Sequence, residues 1–112
     1  MNKEDLLNET MASLAEYLPK LIAGCQKIAE QFHTADEASA MQLLPAAIEG
    51  LEWVITAVSE LQKFGLLTEI DPSKLTMHFS ELESALANRD YILLGDLLEY
   101  EIVPVLEEWL DN

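Results

Sequence analysis

The sequence predicts an all-α protein: an antiparallel up-down-up-down four-helix bundle with proline-kinked helices, built as a single domain over residues 1–112. Three observations predict it. Apolar residues recur at steps of three and four along almost the whole chain, the period of helices that bury one face. Glycine is scarce, four residues in 112, and no low-complexity linker divides the chain. Helix-start residues at Asp36, Asp71 and Asp90 separate four periodic runs by short links, which favour antiparallel neighbours.

The first run is Leu7, Met11, Leu14, Leu18, Leu21, Cys25, Ile28 and Phe32. Asn2 is placed to cap it, and Glu4 and Asp5 suit the positive end of the helix dipole. Pro19 lies inside the run. Proline removes a backbone donor and crowds the preceding turn, but the apolar phase continues past it, so a kink is expected rather than an end. The second helix is expected from the cap Asp36 to about Phe64. Met41, Leu44, Ile48, Leu51, Ile55 and Val58 form its stripe, widened by Val54, Ala57, Leu61 and Phe64, with Pro45 inside it and Gly65 as the stop. The link Leu66-Leu67-Thr68-Glu69-Ile70 is apolar enough to tuck over the end of the bundle.

Asp71 followed by Pro72 is the plainest start, a cap and then a proline at the first helical position. Leu75, Phe79, Leu82 and Leu86 carry the face of this third helix, which should end near Asn88. Asp90 caps the fourth, with Leu94, Leu98, Ile102, Val105 and Trp109 facing inward and Pro104 interrupting it. Leu18-Pro19 followed by Gly24 and Leu44-Pro45 followed by Gly50 form a faint repeat, echoed in part by Val103-Pro104. Two kinked helices that bend to match, each glycine allowing close backbone approach, account for it better than a duplicated helix pair.

Charge narrows the function classes. Six Lys and Arg face 21 Asp and Glu, a formal net charge of -15. Nucleic-acid binding needs a basic footprint, and anionic membrane surfaces attract basic segments, so neither partner is expected. No apolar run approaches a membrane span, and the acidic N-terminus does not read as a signal peptide. A cytoplasmic location is the default expectation. Acidity is densest from Asp90 to Asn112, with seven carboxylates and no Lys or Arg.

Candidate chemistry is sparse. Glu30-Gln31-Phe32-His33 has the Glu-x-x-His spacing of di-iron bundles, but those sites need two such motifs and two further glutamates. The second histidine reads in reverse, His78-Phe79-Ser80-Glu81, so no metal site and no cofactor are expected. His78 lacks the lysine and small neighbours of a phosphoryl-accepting histidine. Cys25 lies on the apolar stripe and reads as a buried, inert thiol. No nucleophile elbow, triad or phosphate loop is present, and the chain reads as a non-enzyme. The feature worth following is Leu94-Gly95-Asp96-Leu97-Leu98-Glu99-Tyr100-Glu101, where carboxylates rim a surface aromatic. Gly95 costs such a helix about 1 kcal/mol relative to alanine, which calls for a packing or contact reason.

The stretch Asp90–Glu101, with Val103-Pro104-Val105-Leu106-Glu107-Glu108-Trp109 after it and Ile48-Glu49-Gly50-Leu51-Glu52-Trp53 before it, resembles a family of small, acidic, helical bacterial domains of unknown function. The resemblance covers most of the chain and implies no catalytic residue. The reading that follows is a non-enzymatic protein-interaction or regulatory module presenting an acidic helical face. Asp96, Glu99, Tyr100 and Glu101 are its candidate contacts, and a basic or helical protein is its expected partner. The alternatives are a chaperone-like holder of a helical client and, ranked last, a metal-binding bundle. Half the residues are apolar, which is also compatible with a homodimer.

Overall fold

A computed structural model describes residues 2–111, and among them the fold is all-α. Helix α1 runs Lys3–His33 with Pro19 inside it. Asn2 caps it, its side-chain oxygen accepting the Asp5 N–H at 2.8 Å. Leu14, Leu18, Leu21, Cys25, Ile28 and Phe32 are buried as the spacing predicts, joined by Ile22 and Ala29, while Leu7 and Met11 are half-buried at the outer end. Helix α2 runs Glu37–Gln62 with Pro45 inside it. Its buried row is Ala40, Leu44, Ala47, Leu51, Val54, Ala57, Val58 and Leu61. Met41, Ile48 and Ile55 flank that row half-buried. Phe64, expected to widen the stripe, instead lies past the helix end and is exposed, with the Lys3 ammonium 4.1 Å over its ring. Helix α2 is the one described helix long and apolar enough, by length and composition, to cross a membrane, and the mean hydropathy of its 18-residue window is 1.2.

Three helix ends share one geometry. Ala35, Gly65 and Arg89 all adopt left-handed backbone, with φ of 60°, 78° and 53°. Just after each, a backbone N–H reaches back five residues: Asp36 to Gln31 O at 2.8 Å, Leu66 to Leu61 O at 3.1 Å, and Asp90 to Ala85 O at 2.8 Å. Such bonds satisfy carbonyls that the helix leaves unpaired. Gly65 stops α2 as expected; Ala35 and Arg89 hold the same posture against the steric preference of a side chain. Asp36 thus closes one helix while preceding the next, and its side chain makes no capping hydrogen bond, contrary to expectation.

The apolar link does tuck in. Ile70 is buried and Leu66 and Leu67 are half-buried against the core. The Gln62 amide fixes it, donating to Leu67 O at 2.9 Å and Ile70 O at 2.6 Å. Asp71 then accepts from both the backbone and the hydroxyl of Ser73, and these bonds hold its carboxyl below the usual carboxylate range. The expected third helix is split into α3, Ser73–Thr76, and α4, Phe79–Ala87. Thr76, His78, Phe79 and Ser80 are weak helix formers, and the chain here closes tight three-residue turns, with His78 N–H donating to Leu75 O at 3.2 Å. Leu75 and Leu82 are buried; Phe79 and Leu86, expected on the same face, are half-buried.

The last rod is continuous but not uniform: α5, Tyr91–Asp96, a π-helical segment, Leu97–Ile102, and α6, Val103–Leu110. Asp90 caps it, accepting the Leu93 N–H at 3.2 Å. Its inward row is Leu94, Leu98, Ile102, Leu106 and Trp109; Val105, expected there, is half-buried and Leu106 takes its place. Three successive steps of four would drift a straight α-helix by roughly 120°. A π turn holds more residues per turn and absorbs that drift. It also widens the backbone just ahead of Pro104, whose ring would crowd the carbonyl one turn back.

Helix α1 is central, packing along α2 and against α5, the π segment and α6, while α4 packs on α5. No buried residue among those described is polar or charged. The molecule measures 48 × 22 × 22 Å, and α1, about 46 Å long at about 1.5 Å per residue, spans nearly its full length.

Candidate functional site

The amphipathic pattern of the last rod places the acidic segment. Leu94, Leu97, Leu98 and Ile102 are buried, which turns Glu99, Tyr100 and Glu101 outward and leaves Asp96 at the margin. Tyr100 is 64 % exposed. Asp96, Tyr100 and Glu101 line one surface cleft of about 340 Å³ with His78, Glu81, Leu93 and Leu97. Exposed Ile92 precedes Asp96 by one helical turn, and exposed Met77 adjoins His78. The cleft therefore combines three carboxylates with apolar surface.

Both histidines reach this segment, from different elements. His33, at the end of α1, sets Nε2 2.9 Å from Asp96 Oδ1 and Nδ1 3.3 Å from Glu99 Oε2. Only the Asp96 contact is a hydrogen bond; the Glu99 carboxylate stands beside the other ring nitrogen. The carboxylates approach opposite edges of the ring rather than converging on one point. Glu30, the other half of the Glu-x-x-His spacing, does not join them. His78, in the turn between α3 and α4, is 12 % exposed and stands 3.9 Å from Glu101 Oε2.

Gly95 supplies the missing half of the His33 contact. A Cβ there would lie 2.8 Å from His33 Nε2 and 3.0 Å from Cδ2, so only glycine lets the ring rest on the α5 backbone. Sequence reasoning placed Asp96, Glu99, Tyr100 and Glu101 together and asked for a reason for Gly95, but missed His33 and His78 as their partners. The reason is physical: the pairing joins the end of one helix to the middle of a distant one, and no local spacing encodes it. Of the four candidates, Asp96 and Glu99 are engaged by His33, and Tyr100 and Glu101 face the cleft.

Cys25 is fully buried on α1 and burial pushes its thiol up to about 12, which removes the thiolate a nucleophile needs. Burial also raises the Tyr17 hydroxyl above its usual range. Among the described residues no group of three or more His, Cys, Asp and Glu is disposed to hold a metal ion.

The chain belongs to the family described as a domain of unknown function (DUF8042), whose model matches residues 9–112. No curated protein and no solved structure matches it.

Proposed function

We propose that this member of an uncharacterised family is a non-enzymatic protein-interaction or regulatory module whose acidic cleft on the last rod receives a basic, helical segment of another protein. The observation that carries the reading is Tyr100, exposed beside Asp96 and Glu101 on the wall of one cleft. A tyrosine gives a large contact area at low entropic cost and anchors interfaces when rimmed by charge. Glu81, Asp96 and Glu101 supply attraction to a cationic partner, acting on encounter rate and specificity more than on affinity. Exposed Met77 and Ile92, next in sequence to the cleft residues His78 and Leu93, add apolar surface of the kind that helix-in-groove binding uses.

The same reading takes the four helical rods as an up-down-up-down antiparallel bundle bent at Pro19, Pro45 and Pro104, working in the cytoplasm and away from nucleic acid and membrane. The three residues Thr34–Asp36 between α1 and α2 support that course, since short links join antiparallel neighbours.

The test is recovery of a partner by the tagged protein at low salt, repeated with a Tyr100→Ala plus Glu101→Lys variant whose circular dichroism is unchanged. Loss of one reproducible partner supports the site. Equal recovery by the variant removes Tyr100 and Glu101 from it. A chaperone-like holder is the second reading, favoured by the exposed Met77, Ile92 and Tyr100 around the cleft. Helicity that rises beyond the sum of the two proteins when the client is added separates it from a plain surface contact.

A further inference from the structure

A second concavity lies between α1 and α2, away from the acidic segment. It measures about 420 Å³ and is lined by Ser13, Tyr17, Ala46, Glu49, Gly50 and Trp53, within the size range of small-molecule sites. Tyr17 and Trp53 meet edge to face, with ring centroids 5.5 Å apart and planes at 84°. Trp53 is 41 % exposed, unlike Trp109 at 4 %. The ring pair is built into the helix contact: a Cβ at Gly50 would collide with the Tyr17 hydroxyl and lie 3.0 Å from Leu21 Cδ1. Glycine at 50 is what lets Tyr17 lie down against α2. Glu49 is exposed on the same cleft and has no ion-pair partner among the described residues.

We infer that this cleft binds a quaternary ammonium group. The edge-to-face pair lines the cleft beside Glu49, and a cation that sheds water easily gains most from an aromatic face next to a carboxylate. Glu49 adds a formal charge to the same lining, and Ala46 adds a small apolar contact. An anion would meet the ring faces and Glu49 with the wrong sign. The net charge of -15 concentrates cations around the whole molecule. Lys20, which lines the adjoining groove with Tyr17, is 3.6 Å from Glu16 and so turns its charge to its own helix.

The probes are choline and its neutral carbon isostere 3,3-dimethylbutan-1-ol, titrated into the intact protein and followed by tryptophan emission, in which exposed Trp53 is the ligand-sensitive reporter. Saturable binding of choline, about fivefold or more tighter than the isostere, is expected. Glu49→Gln, a surface change, should weaken choline and leave the isostere unchanged. Trp53→Ala, checked for unchanged circular dichroism and read by calorimetry, should abolish choline binding. Nα-acetyl trimethyl-lysine amide run beside choline identifies whether a side chain or a free solute is the tighter source of the group. Equal binding of the isostere, choline binding that survives Trp53→Ala or ignores Glu49→Gln, or no saturation by about 10 mM, overturns the inference.

Discussion

His33 and Gly95 define one contact from two sides, and the contact gives the same substitution different effects in two backgrounds. Alanine at 95 gains about 1 kcal/mol of helix propensity but drives a Cβ into the His33 ring and displaces it from Asp96 and Glu99. Gly95→Ala alone is expected to change stability by less than about 1 kcal/mol, the propensity gain being offset by the displaced His33 contacts. In a His33→Ala background it should raise stability by about 1 kcal/mol, and His33→Ala alone, breaking half-exposed pairs, should cost about 1 kcal/mol or less. Urea unfolding of the four proteins measures the coupling; an equal effect of Gly95→Ala in both backgrounds would remove the contact. At this scale the sequence was legible where a residue acts on its neighbours. Asn2 and Asp90 cap as their types and positions predict; Asp71 accepts the Ser73 N–H, but Pro72 rather than Asp71 holds the cap position of α3. Gly95 was legible only as a question, because its answer is a ring contributed by another helix.

At the scale of elements, the α1–α2 junction and the junction ahead of α5 are the same device, a left-handed residue followed by an aspartate, at Ala35-Asp36 and Arg89-Asp90. Neither Ala nor Arg favours that backbone. Ala35→Gly and Arg89→Gly are each expected to stabilise the protein by about 0.5–1 kcal/mol, the steric relief exceeding the added freedom of the unfolded chain. The urea midpoint checks it, and no gain at either position would mean that the left-handed posture is not held in solution. Of the three stops, only Gly65 announced itself by residue type. The π segment left a fainter trace: Leu94, Leu98, Ile102 and Leu106 step by four throughout, which no straight α-helix keeps on one face. Reading Val105 as the inward residue assumed an ordinary alternation of three and four. The break between α3 and α4 had no apolar signature, since Leu75, Phe79 and Leu82 keep helical spacing across it, and only weak propensity marked it.

At the scale of the whole molecule, a charge of -15 on 112 residues opposes compaction by self-repulsion. The ion pairs Lys20–Glu16, Lys63–Glu60 and Lys74–Glu108 join side chains that are all more than half exposed and return little. Screening should therefore stabilise the fold: the melting temperature is expected to rise between low salt and about 0.15 M, where the Debye length falls to about 8 Å. Binding of a basic partner should weaken over the same range. A melting temperature that falls with salt would mean that attractive pairs dominate. Fold class, a single core and the acidic segment were legible at this scale because apolar period and charge are properties of the chain itself; the clefts were not, since each needs two elements brought together. The 48 × 22 × 22 Å outline bears on motion as well. Helix α2, about 39 Å long, exceeds the short dimensions and so lies with α1 along the long axis. Such a body spins about that axis faster than it tumbles end over end, and amide vectors of both helices lie along it. Nuclear spin relaxation in α1 and α2 will follow the slow tumbling; a second copy laid alongside would even out the two rates, and one added end to end would drive them further apart.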